Sequence, residues 1–151
     1  MQWRVVGRWA LAAALAPAYW AFLEPLAIIL LKGIDGLLPG GIHQFPSIGR
    51  LAGVATTICA SLLLGIPIAF LARSVAPARA PLWCFVVAAI PAAYQVCYLL
   101  CSTCHVWGPY PGTVADYFEM AGTHTGIALA PMLICLLLRR YCPLTTASSA
   151  A

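Results

Sequence analysis

Charge is scarce in this sequence. Among 151 residues only eight are lysine or arginine and four are aspartate or glutamate, against 63% hydrophobic residues and a mean hydropathy of +0.93. Soluble domains carry about 25% charged residues, so a water-soluble fold is all but excluded. The stretches between long apolar runs reach only about 20 residues, too little for a separate globular domain. Signatures of common enzymes are missing as well: there is no Walker loop, no HExxH and no GxSxG elbow. Acids never cluster inside an apolar run, as a multi-ion pump would require, and no internal repeat stands out. The basic residues sit in pairs at the ends of apolar runs, so the net charge of +4 points to membrane topology and not to nucleic acid.

What the chain does have is four apolar stretches, about residues 9–31, 51–71, 82–101 and 115–138. Three of them hold about 20 apolar residues, enough to cross a hydrocarbon core about 30 Å thick. The last is completed by a helix starting ahead of its apolar part, where Thr113 and Asp116 form a capping pattern. The fold expected is an all-α, four-transmembrane-helix bundle in a single domain, residues 1–142, with a disordered cytoplasmic tail over 143–151. The run that follows Arg4 and Arg8 continues through Tyr19, Trp20 and Phe22 to Leu31, as an uncleaved span does and a signal peptide does not.

Orientation follows from the arginines. Arg4, Arg8, Arg73, Arg79, Arg139 and Arg140 fall on one side of a four-span map, and Lys32 and Arg50 on the other with Asp35, Asp116 and Glu119. The positive-inside rule then predicts cytoplasmic termini in a cell inner membrane, with both longer loops facing outward. Those loops are rich in turn residues, Gly33 to Pro46 in the first and Gly108-Pro-Tyr-Pro-Gly112 in the second. Trp3, Trp9, Trp83 and Tyr141 near one boundary, and Trp107, Tyr110 and Tyr117 near the other, read as interfacial aromatic belts.

Every span contains proline, and small residues recur at four-residue spacing in Ser61-xxx-Gly65-xxx-Ala69 and Gly122-xxx-Gly126-xxx-Ala130. Membrane bundles tolerate prolines where neighbours satisfy the freed carbonyl, and small-residue faces allow close helix contact. Ser61, Gly65, Gly122 and Gly126 are therefore candidate helix contacts, within the chain or between subunits.

Polar residues inside the spans carry the functional signal, because intramembrane polar groups are costly. Glu24 lies eight residues before Lys32, about 12 Å along a helix from the outer boundary. Gln95, His124, Thr56 and Thr57 reach a similar depth from the other three spans. Two readings stay open: an interhelical network in which Gln95 or His124 hydrogen-bonds Glu24, or an outward-facing pocket in which these residues bind or relay a proton or polar ligand.

Seven cysteines is a high count, and the informative pair is Cys101-Ser-Thr-Cys104-His105 at the outer end of the third span. Cys-x-x-Cys-His is the pattern of a c-type haem attachment site. His105 would then be the proximal ligand, with Met120 or His124 opposite. Metal capture by Cys101, Cys104, His105 and His124 is a further variant. As a redox dithiol, the layout is similar in outline to the four-span disulfide-generating oxidoreductases of bacterial membranes, in span count, orientation and one Cys-x-x-Cys pair. That resemblance implies quinone as electron acceptor and Cys101 and Cys104 as catalytic residues. It stops at outline, since the family needs further reactive cysteines and neither outer loop has one beyond Cys104.

The leading functional expectation is a small polytopic protein without chemistry of its own, an accessory, immunity-type or assembly factor. It would act through helix and outer-loop contacts on another membrane protein or a second copy, in the lipid bilayer and without a cofactor. The alternatives are the outward-facing thiol redox protein and a small-solute carrier using the Glu24–Gln95–His124 layer.

Overall fold

A computed structural model describes the backbone of residues 2–37, 41, 46–105 and 114–142, and the side chains of 5–37, 41, 48–97 and 120–142. Four helices account for nearly all of it: α1 (Gln2–Asp35), α2 (Pro46–Val75), α3 (Ala80–His105) and α4 (Val114–Tyr141). All four contain stretches long and apolar enough to cross a membrane: Val5–Asp35, Ile48–Val75, Pro77–Cys97 and Met120–Tyr141. In hydrocarbon no water can pair a free backbone N–H or C=O, so such apolar runs close their hydrogen bonds within a helix. The architecture is that of an all-α, multi-pass membrane bundle.

The helices outrun the apolar stretches that announce them. At about 1.5 Å per residue, the 34 residues of α1 span about 51 Å, well beyond the hydrocarbon core. α1 runs on past its apolar stretch to Asp35. There Gly36 N–H donates to the Lys32 carbonyl at 3.0 Å and Leu37 N–H to the Ile34 carbonyl at 3.0 Å. Pro46 opens α2, where its missing N–H is one the first turn cannot use. The connection between α1 and α2 is therefore confined to residues 36–45, in which Gly41 takes a left-handed φ of +79°. The turn around Gly108–Gly112, Thr113 and the tail from 143 lie outside the described residues.

Between α2 and α3 the chain turns in one residue and a 3-10 turn, Pro77–Arg79. The sequence points to α2 and α3 as close neighbours. They do touch, but each packs more extensively on α4, while α1 packs on the other sides of both. The two outer helices of the chain thus lie diagonally across the bundle.

Side chains fix which helix ends lie together. The indole Nε1 of Trp83, at the start of α3, donates to the Arg8 carbonyl on α1 at 2.8 Å. Arg73, at the end of α2, donates through Nη1 to the Leu138 carbonyl at 3.3 Å and through Nη2 to the Cys142 carbonyl, both at the end of α4. The start of α1, end of α2, start of α3 and end of α4 therefore share one end of the bundle, the end with the arginine majority.

Two residues here differ from their sequence reading. Trp83, assigned to an interfacial belt, is 0% exposed and seals α1 against α3. Arg73, counted as a topology determinant, is 5% exposed and caps the end of α4, joining the Cys142 N–H at the Leu138 carbonyl and reaching the Cys142 carbonyl beyond the last turn.

The core is built from small side chains. Ala12, Ala60, Ala69, Ala72, Ala80 and Ala88 are fully buried, whereas Phe22, Ile29, Leu51 and Phe70 point outward. Lipid solvates large apolar groups as well as a protein interior does, so packing in a membrane is set by how closely backbones approach. The tightest approach is α2 on α4, where a Cβ at Gly65 would stand 2.9 Å from Pro131 Cα. Pro131 also lacks the N–H that would take the carbonyl of Ile127, four residues back. Ser61 Oγ supplies a donor to that carbonyl at 3.0 Å. Tyr19 Oη approaches it at 3.4 Å and is paired with Ser61 as well. A helix defect in α4 is thus satisfied by hydroxyls from α1 and α2.

Candidate functional site: a polar cleft shared by four helices

At the end of the bundle opposite the arginines, the four helices enclose a cleft of about 330 Å³. Its lining includes Trp20 and Glu24 of α1, Thr56 and Thr57 of α2, Gln95 of α3, and Thr123 and His124 of α4. One polar layer, read from helix-by-helix depth counting, is thus one place in space.

Each polar group reaches the cleft for a local reason. Trp20 and Glu24 are four residues apart, so they share a face of α1. Thr56 and Thr57 turn their hydroxyls back to the Gly53 carbonyl, at 3.0 and 2.8 Å, as threonines in membrane helices often do. Those bonds use the hydroxyl protons and leave oxygen lone pairs. His124 Nδ1 lies 2.7 Å from the Met120 carbonyl one turn earlier. A carbonyl only accepts, so Nδ1 carries a proton. Trp20 stacks on the His124 ring, with centroids 6.4 Å apart and planes 17° from parallel. That stack bridges the diagonal between α1 and α4.

Glu24 is exposed to the cleft. Among the described residues no hydrogen bond joins it to Gln95 or His124, so the sealed network considered from sequence does not form. Neither lysine nor arginine lines the cleft. The arrangement offers one carboxylate, one imidazole, three hydroxyl oxygens and one carboxamide around an indole face. Trp20 was not singled out from sequence, although its i, i+4 relation to Glu24 was the signal available.

The remaining candidates divide. Gly65 lies against Pro131, Ser61 bonds across to α4, and Gly126 faces Ile58, whose Cδ1 would stand 3.2 Å from an added Cβ. Gly122 has nothing within 4 Å of such a position. Met120 meets His124 through its backbone carbonyl. The helical backbone of α3 continues through Cys101, Cys104 and His105, whose side chains lie outside the described residues. Cys59, Cys84, Cys97, Cys135 and Cys142 are free thiols. Among the described residues no three His, Cys, Asp or Glu side chains converge as a metal site would require. No protein-family model, curated protein or solved structure matches the chain.

Proposed function

We propose that this is a multi-pass inner-membrane protein that binds a small cationic solute in the Glu24 cleft. Its termini lie in the cytoplasm and the cleft sits toward the outer face. The observation that carries the reading is the convergence of polar groups from all four helices around a carboxylate, with neither lysine nor arginine in the lining. An ionised carboxylate in an apolar bundle is costly unless something pairs with it, and a bound cation would supply the pairing that no lysine or arginine of the lining does. Small-solute carriage across the bilayer is the role this site fits. The orientation rests on the arginine majority at the termini end.

A lipid-soluble carbodiimide tests the reading, since it couples to carboxyls in apolar surroundings. Incorporation at Glu24 is expected, slowed in a dose-dependent way by ethylammonium and not by glycerol. Labelling that ethylammonium leaves unchanged would count against a cation site. A second role, contact with another membrane protein or a second copy, is favoured by Gly122, exposed on α4 with open space where a neighbouring helix could approach. The thiol redox reading rests on residues 101–105 alone.

A further inference from the structure

Beside the polar cleft lies a second cavity of about 350 Å³, between α1 and α3. Ala16, Pro17 and Ala21 form one side of it, and Ile90, Pro91 and Tyr94 the other. Trp20 and Gln95 line both cavities, so the apolar groove and the polar cleft share a wall. Trp20 suits that place, with an apolar body and one polar N–H. Ile90 and Tyr94 are exposed on the outside of the bundle, where a membrane helix faces lipid. The groove therefore opens sideways, and the carboxylate cleft lies across Trp20 and Gln95 from it.

From this adjacency we infer that the solute is an amphiphilic amine, which enters from the bilayer with its tail in the α1–α3 groove and its protonated head passed between Trp20 and Gln95 to Glu24. The inference rests on the cation reading above and adds the tail. The head follows from the acceptors of the lining: the Glu24 carboxylate and the threonine oxygens accept, so the favoured head donates hydrogen bonds and carries positive charge. The tail follows from the groove, whose lining is apolar apart from Gln95 and the phenol of Tyr94. A lipid-facing groove gains little from hydrophobic transfer of a chain already in lipid. Selectivity must then come from head and tail being held together.

Octylammonium bearing a diazirine at its chain end, in proteoliposomes of zwitterionic lipid, tests this. Labelling is expected to concentrate in the segments 16–21 and 90–94, and to be suppressed by excess octylammonium but not by octanol. Ala21→Trp, at an outward position that fills the groove, is expected to reduce the suppressible labelling at least several-fold. So is Glu24→Gln, which removes the charge that anchors the head. Even labelling of outward residues such as Phe22, Ile29 and Phe70 without competition would overturn the groove. Equal competition by octanol would also overturn the inference, since it would mean the groove takes any apolar chain, including that of a bilayer lipid. If wild-type protein binds ethylammonium yet shows no competed labelling, the tail assignment alone fails. If it binds neither amine, the cation reading fails with it.

Discussion

At the scale of single residues, charge in this bundle is used sparingly and each instance has a distinct task. Arg73 is the clearest structural case, because its guanidinium reaches two carbonyls at the end of α4 from the end of α2. A planar fork can bond both, whereas an ammonium is a single point donor. Arg73→Ala is expected to destabilise the bundle by about 2 kcal/mol, in the range for hydrogen bonds to charged groups. Arg73→Lys should fall between wild type and alanine. Thermal or denaturant unfolding in detergent, followed by circular dichroism, checks the order. Stability unchanged in both variants would show that the α4 carbonyls do not depend on Arg73. Glu24, in contrast, contributes no such bond among the described residues and stands open at the cleft.

At the scale of elements, the prolines explain more than their helix-breaking reputation implies. Pro131 frees the Ile127 carbonyl, and Ser61 and Tyr19 take it up. The same proline lies where Gly65 lets α2 approach most closely. This coupling can be measured by a double-mutant cycle. Ser61→Ala is expected to cost about 0.6–1.7 kcal/mol, the span measured for interhelical hydrogen bonds in a membrane protein. In a Pro131→Ala background, where the helix can satisfy Ile127 itself, that cost should shrink toward zero. An undiminished cost would show that Ser61 contributes by packing and not by pairing the carbonyl.

How far the sequence reveals these elements depends on which property marks them. Apolar length marks the spans, so four helices could be read directly. Helix ends at Gln2, Asp35 and Pro46 could not, since hydropathy reports the membrane and not the helix. The depth of Glu24, Gln95, Thr57 and His124 could be counted, because rise per residue is fixed. Facing direction was harder, because these helices are apolar on every side and hydrophobicity does not show which side turns inward. Trp83 was accordingly taken for an interfacial residue, and Tyr19 passed as one more apolar-run member. The Ile127–Pro131 spacing was the one local clue that a hydroxyl partner was needed.

For the molecule as a whole, the two ends are chemically unlike. Among the described residues, the termini end carries Arg8, Arg73, Arg79, Arg139 and Arg140 and no acidic side chain, while Glu24 and Asp35 belong to the other half. The positive-inside rule predicts that the termini end is the cytoplasmic one. Cys142, exposed at that end, provides a test in a variant with the other six cysteines replaced by serine or alanine. A membrane-impermeant maleimide applied to spheroplasts is expected to modify Cys142 only after the membrane is permeabilised. Labelling of intact spheroplasts would invert the topology and place the cleft on the cytoplasmic side.

The central claim is that the cleft around Glu24 binds a cation through its carboxylate. The most direct measurement is calorimetric titration of ethylammonium into purified protein in lipid nanodiscs, comparing wild type with Glu24→Gln. The two side chains are nearly the same shape, so the comparison removes charge while keeping the packing. The account predicts saturable binding to wild type, weakened about tenfold or more in the variant, which corresponds to about 1.4 kcal/mol or more. Equal affinity in both proteins, with the variant folded, would contradict it.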